Sequence, residues 1–417
     1  MRRDIGCHPI DHEMSRRSFL AGTAAGTAVS LGAILHPAAA ETLRKQHKHI
    51  LQVFLHGGVS QLETWDPKPG TRYGGPFQAI PTSVPGMHIS ELLPETARQM
   101  HHLSLVRGIN SKINVHSQAR LYMEKGRRAG EYPYVGSVAS KYLAPKNSGM
   151  PGYVAVGGGG DTAAFLGSRH NALALDGTSP PDNLKRPDGL TALADDRRNA
   201  LRLHLNHRFA GSRRKASVDA YNTTFDQAEQ LMGRRKVFVA EPDPKDLERY
   251  GTHEFARYCL LSRTLLEEGV TCVKLSHRNY DTHAENFNFH IEQLGEFDRP
   301  FAMLMQDLAD RGMLESTLVI VYSEFGRTPR INVRYGRDHW STAWSIALGG
   351  CGVVPGAIVG ATNNEGTEVV DREVDAGHLF HTYFSALGLD TSASHDIPGR
   401  PIPIGDPAAS PIEELLA

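Results

Sequence analysis

Short apolar runs that end in glycine or in a polar loop recur along this chain, and their order sets the first expectation of fold. His49 to Leu55 is an apolar run of strand length that stops before Gly57-Gly58, and Asp66-Pro67-Lys68-Pro69-Gly70 beyond it has the composition of a loop. Leu103 to Val106 reads as a second short strand. Ser117 to Lys125 has a helical pattern and stops at Gly126, a residue suited to the turn that closes a helix. From Gly251 the pattern becomes regular: a helix to about Glu268, the strand Val270 to Leu275, a helix from about Asn288 to Arg311, then the strand Thr317 to Tyr322. This alternation predicts an α/β fold with a central, mainly parallel sheet and helices on both faces. Trp344 to Leu348 adds a strand before a Gly-rich turn, and His378 to Leu387 a late helix.

The middle of the chain is less regular. Tyr153 to Val156 is apolar and runs into glycines at 157–160, a pattern that matches no phosphate-cradling P-loop and reads as a flexible loop. Residues 178–189, rich in Pro, Asp and Lys, form a surface connection, and residues 190–235 are polar, Arg-rich and helix-like. No internal repeat or low-complexity tract is present.

Composition changes the picture mainly at the N-terminus. Ser15-Arg16-Arg17-Ser18-Phe19-Leu20 precedes a mild apolar stretch from Ala21 to Leu35 and then Ala38-Ala39-Ala40, which reads as a twin-arginine export signal cleaved near Ala40. The expected division is a signal over residues 1–40 and a folded domain over 41–417, exported folded by the twin-arginine machinery to the periplasm or the extracellular space. Met14 is an alternative start to Met1. The apolar stretch is shorter than the roughly 20 residues that cross a bilayer, and nothing after residue 40 resembles a membrane span. Lys and Arg total 45 against 46 Asp and Glu, so the net charge of −1 gives no reason to expect nucleic acid. With Cys7 in the signal, Cys259, Cys272 and Cys351 remain, an odd number without metal-type spacing, expected as buried thiols and not as a disulfide framework.

The candidate chemistry sits where apolar runs end. Asp281 and His283 follow the Val270 to Leu275 strand, two residues apart, so an extended segment can point both to one side and offer a metal oxygen and nitrogen. An Asp that caps the next helix and a His that bonds nearby explain the pair equally well. Glu324 ends the next strand, followed by Gly326, which permits close backbone approach, and by Arg327, which can grip a phosphate or sulfate; the alternative is a buried Glu–Arg ion pair. Arg337, Asp338 and His339 form a third polar loop. Carboxylate oxygens with imidazole nitrogens suit zinc first, with manganese or calcium as alternatives, and the lack of thiolates argues against a purely structural zinc knot. His116-Ser117 opens a helix, where free N–H groups favour an anion or an activated alkoxide, although Ser117 can equally be a helix cap. His56 and Glu63 flank Gly57-Gly58, where another ligand can enter or a loop hydrogen bond can form.

Taken together, the twin-arginine signal, Leu55 to Gln61, Trp65 to Pro69, Asp281-Thr282-His283, Ser323 to Pro329, Gly336 to Trp340 and Gly399 to Pro403 resemble the exported domain-of-unknown-function family numbered fifteen-oh-one, over nearly all of the chain beyond residue 40. That family is similar to the alkaline-phosphatase and sulfatase superfamily. The resemblance implies an alkaline-phosphatase-like sheet and a two-metal site beside a hydroxyl or thiol nucleophile, with Ser117 in the nucleophile's place. It also places Asp281 and His283 at one metal, Glu324 at the other, and His339 as the late histidine. Two departures stand out: the first strand lacks the superfamily's metal-binding Asp, with His56 the nearest polar residue, and Glu324-Phe325-Gly326 replaces Asp-His-Gly.

The resulting expectation is an exported metal-dependent hydrolase of phosphate or sulfate esters, acting on a small-molecule or glycan ester. Its metal set would be drawn from Asp281, His283, Glu324, Asp338, His339 and His56, with Ser117 as nucleophile and Arg327 or Arg337 holding the nonbridging oxygens. The alternative is a noncatalytic envelope protein of the same fold that binds an anionic glycan or a protein partner.

Overall fold

A computed structural model describes residues 37–417 except 147, 182–183, 212–214, 240 and 398–400. The expected export signal and Gly399-Arg400 lie outside the described residues, apart from the last residues of the signal. Among the described residues no helix is long and apolar enough to cross a membrane.

The strands of the central sheet, in chain order, are β1 (His49–Leu55), β2 (Leu103–Ile109), β3 (Tyr153–Val156), β4 (Leu173–Leu175), β5 (Cys272–His277), β6 (Thr317–Tyr322), β7 (Trp344–Gly350) and β8 (Ile358–Val359). They lie side by side as β8-β2-β7-β6-β1-β5-β3-β4. β1 pairs in parallel with β5 and β6, β3 in parallel with β5 and β4, and β8 in parallel with β2. Only β7 runs the other way, antiparallel to both β6 and β2. The fold is therefore α/β with a mainly parallel central sheet, as the alternation of runs predicts.

Two apolar layers account for the strands. On β1, Leu51, Val53 and Leu55 enter one core and Ile50 and Phe54 the other; on β6, Val319 and Val321 separate from Leu318, Ile320 and Tyr322 in the same way. Strands buried on both faces read as continuous apolar runs, and this is why the sequence shows them so plainly. The first layer is covered by α5 (Glu254–Glu267) and α6 (Asn286–Asp310). Leu294, Phe297, Phe301, Leu304, Met305 and Leu308 put the buried stripe of α6 at helical spacing. The second layer is covered by α1 (His116–Lys125), α2 (Val135–Tyr142) and α7 (Ala376–Ala386). Residues 190–235 resolve into α3 (Ala192–Phe209) and α4 (Lys215–Gly233). Cys259, Cys272 and Cys351 are buried free thiols.

One polar cluster lies inside the second layer. Lys274 on β5 puts its ammonium against Glu124 of α1 and 2.9 Å from Asp161, while Arg120 of α1 reaches Asp161 at 2.9 Å and Tyr322 donates to Glu124 at 3.1 Å. This cluster ties α1 to the middle of the sheet. α1 starts at His116 with Val115 as its N-cap residue, and ends at Gly126 in the left-handed region, φ 65°.

Candidate metal centre

Because β1, β2, β5 and β6 point the same way, the loops that follow them emerge at one rim, where parallel α/β sheets build their sites. There the imidazole Nε2 atoms of His283, His116 and His339 stand 3.1, 3.4 and 3.4 Å from Oδ1 of Asp281, and the Nε2 atoms of His283 and His339 are 2.9 Å apart. His116, Asp281 and His339 offer ligand atoms all within 4.8 Å of one another. The centre is open to solvent, with the Asp281 side chain 50 % exposed.

What aims the three rings is their other nitrogen. Nδ1 of His116 bonds Oε1 of Glu324 at 2.7 Å, Nδ1 of His283 bonds Oδ1 of Asp338 at 2.8 Å, and Nδ1 of His339 bonds the Asn114 carbonyl at 2.7 Å. Carboxylate and carbonyl oxygens only accept, so each Nδ1 carries a proton, and in the neutral ring this leaves the Nε2 lone pair toward Asp281. Nε2 of His116 is buried and has no hydrogen-bond partner. In their neutral form the imidazole lone pairs and the carboxylate repel one another unless a cation sits among them. The two nitrogens and one oxygen of His116, His339 and Asp281, with His283 beside Asp281, fit a divalent metal of the zinc type.

The loop after β6 builds most of this frame. Ser323 Oγ accepts the Gly58 and Val59 amides, both at 3.1 Å, and donates to the Leu55 carbonyl. Glu324 accepts the Gly57 amide at 3.1 Å as well as His116, and Phe325 packs its ring 4.7 Å from His116 and 4.6 Å from His339. At Gly326 a Cβ would fall 2.3 Å from the Gln61 side chain and 2.5 Å from Trp344, so only glycine lets the strand pass. The short pairing of Gly326–Arg327 with His339–Trp340 sets His339 opposite Arg327. Gly57, at φ +116°, brings the β1 loop so close that a Cβ would stand 2.6 Å from the Asp281 amide.

Electrostatics follow from these contacts. Burial pushes the Asp281 carboxyl up, but the hydrogen bond and charge of Arg327, 2.5 Å away, more than offset it and hold the group below the usual range. The Glu324 hydrogen bond raises His116 above an ordinary histidine against its partial burial, while burial lowers His339.

Several expected roles change. Glu324 and Asp338 stand behind the rings of His116 and His283 and orient them, so neither oxygen set faces the point where the Nε2 atoms meet. His56 is exposed at the end of β1, packed edge-on to Phe54, and is not among the groups that converge on Asp281. Arg327 is fully buried, donating to the Gly57, Gly58 and Arg337 carbonyls and to Asp281, so it positions the carboxylate. Arg337 is also fully buried, with its N–H groups on Glu63 and on the Thr328, Pro329 and Tyr73 carbonyls, which leaves none for a substrate oxygen. Ser117 lies exposed in the first turn of α1, and with Val115 at the cap it is not the capping residue. The candidate ligand that the sequence did not single out is His116. Its signal was its place at a helix start that follows a strand ending at the same rim.

Solved structures to which the chain is similar include the PsFucS1 sulfatase from Pseudoalteromonas sp. (11 % identity, TM-score 0.36, 85 % of this chain and 72 % of that one). The phosphonate monoester hydrolase SpPMH from Silicibacter pomeroyi is similar at 10 % identity and TM-score 0.36, over 82 % of this chain and 74 % of that one. The lipoteichoic acid synthase LtaP from Listeria monocytogenes is similar at 10 % identity and TM-score 0.38, over 88 % and 80 %. At such scores the likeness is one of outline. No curated protein matches the chain at a significant level. Residues 47–416 match the family described as protein of unknown function (DUF1501), and the chain belongs to that family.

Proposed function

We propose that this protein is an exported metal-dependent hydrolase of phosphate or sulfate esters, with residues 41–417 as its working domain. The observation that supports the reading is the set of three histidines whose Nδ1 atoms are each held by an acceptor while their Nε2 atoms meet around Asp281. His116, His283, His339 and Asp281 would hold the ion, which when bound supplies Lewis-acid polarisation of an ester oxygen. Arg327 keeps the Asp281 oxygen in place. Ser117, exposed and next to His116 at the start of α1, presents its hydroxyl where free amide groups favour a developing alkoxide. Its Oγ would form a bond to phosphorus or sulfur as the bond to the leaving alcohol breaks, the serine proton passing to the leaving oxygen, and water would then cleave the Oγ–phosphorus or Oγ–sulfur bond, releasing the inorganic anion and returning a proton to the hydroxyl.

Assays of metal-loaded protein on aryl phosphates and aryl sulfates test this. Turnover is expected in the wild type and its loss in Ser117→Ala at unchanged metal content; full activity in the variant removes Ser117 from the mechanism. One observation favours the second reading, a noncatalytic envelope protein that binds an anionic glycan or a protein partner. Both arginines expected to grip the anion have their donors engaged within the protein. Ligand binding without turnover by fully metal-loaded protein supports that reading.

A further inference from the structure

At the opposite end of the sheet from the candidate centre, a cavity of about 290 Å³ opens beside the start of β3. Its walls carry Arg44, Lys141, Lys146, Arg169, His170 and Ser140, and among the described residues no acidic one lines it. Asp281 follows the end of β5, whereas this cavity precedes β3. Since those strands run parallel with Tyr153 opposite Cys272 and Val156 opposite Leu275, at least a strand length, roughly 13 Å, separates the two places.

Two of the guanidinium groups are held in place by backbone carbonyls. Arg44, its side chain 16 % exposed, donates to the Lys141 carbonyl at 3.0 Å, and Arg169 donates to the Lys146 carbonyl at 2.8 Å. The nearby counter-charges are Glu41, 3.6 Å from Arg44 and 3.2 Å from Lys146, and Asp396, whose charge acts on Lys141. His170 is held by Ser140 at 2.9 Å, and burial together with Lys141, Arg169 and Arg44 pushes its pKa down to about 4. Burial and Arg44 likewise lower Lys141. Glu41 and Asp396 offset only part of this charge, and the concave wall keeps an excess of cationic groups suited to an anion.

We propose that this cavity is an oxyanion-binding site, separate from the candidate metal centre, that takes a phosphate or sulfate group through Arg44, Lys141 and Arg169. Tetrahedral oxyanions match guanidinium and ammonium donors in both charge and geometry. The cavity has room for such a group carried on a monosaccharide as well as for the free ion.

The test is calorimetric titration of inorganic phosphate, inorganic sulfate and glucose 6-sulfate into the full folded chain at low and high salt. It is run on wild type, on Asp281→Asn and on Lys141→Gln/Arg169→Gln. Binding is expected in wild type and in Asp281→Asn, weakening with salt, and falling at least about tenfold in the double variant. The His170 ring titration, followed by NMR, should move upward when the anion is bound. Equal affinity for the inorganic ions and the sugar ester assigns recognition to the group alone, and tighter binding of the ester assigns it to an ester-borne group; both support the proposal. Unchanged affinity in Lys141→Gln/Arg169→Gln, loss of binding in Asp281→Asn, or no binding of any probe overturns it. Single Arg169→Gln, at an exposed position, provides the same comparison should the double variant fail to fold.

Discussion

Replacing Lys274 by Met tests how the buried ion cluster holds α1, and with it His116, on the sheet. Lys274 is buried, its ammonium lies against Glu124 and 2.9 Å from Asp161, and both of those carboxylates are within the protein. Without the lysine, Arg120 alone faces both acids. Breaking a buried pair by removing one partner costs about 3–5 kcal/mol, because a charge is left uncompensated. The cluster can limit that cost by taking a proton. Burial already holds Glu124 above the usual carboxyl range despite Lys274, so Glu124 is the group that protonates. Starting from an ordinary Glu pKa of about 4.3, forcing a proton on costs about 3.7 kcal/mol at pH 7 but only about 1 kcal/mol at pH 5. Lys274→Met should therefore be strongly destabilised at pH 7 and much less so at pH 5, and adding Glu124→Gln should restore most of the loss at pH 7. Urea unfolding followed by circular dichroism at the two pH values measures this. Equal destabilisation at both, or no rescue by Glu124→Gln, refutes the reasoning.

Three further outcomes follow from the same structure. Asp338→Asn, at a half-exposed position that holds only Nδ1 of His283 and the Asn332 amide, should weaken metal binding about 10- to 100-fold by competition titration while leaving the thermal midpoint nearly unchanged. Ser117→Ala should retain its full metal content while losing ester turnover, as read by elemental analysis beside the activity assay. Burial pushes His170, His277 and His395 each down to about 4. Since the unfolded chain binds these protons more readily, stability should be fully present above about pH 6.5 and decline toward pH 4, by up to about 3 kcal/mol per histidine, in denaturant midpoints taken across that window.

The sheet was legible in the sequence because its strands are buried on both faces, so β1, interrupted only by Gln52, and β6 appear as mainly apolar runs with the observed bounds. The end of β5 was not: Ser276 and His277 are polar yet buried in the strand, and the strand was expected to stop at Leu275. Asp281 and His283 could be picked out because they follow an apolar run, and His339 because it lies in a polar loop just before one. Which polar residue faces the common point and which stands behind it could not be read, since that depends on ring orientation. Glu324 looks like a ligand by its place after β6, but the Gly57 amide and His116 Nδ1 occupy its oxygens. Arg327 and Arg337 carry the residue type that grips anions, and only burial shows them acting as internal braces.

Zinc-edge X-ray absorption on the loaded protein tests the central claim most directly. The account predicts a first shell of imidazole nitrogens and carboxylate oxygen near roughly 2.0–2.1 Å, with imidazole scattering that diminishes when His116, His283 or His339 is replaced by Ala. A shell of water oxygens alone, sulfur scattering, or a spectrum unmoved by those three substitutions would contradict it.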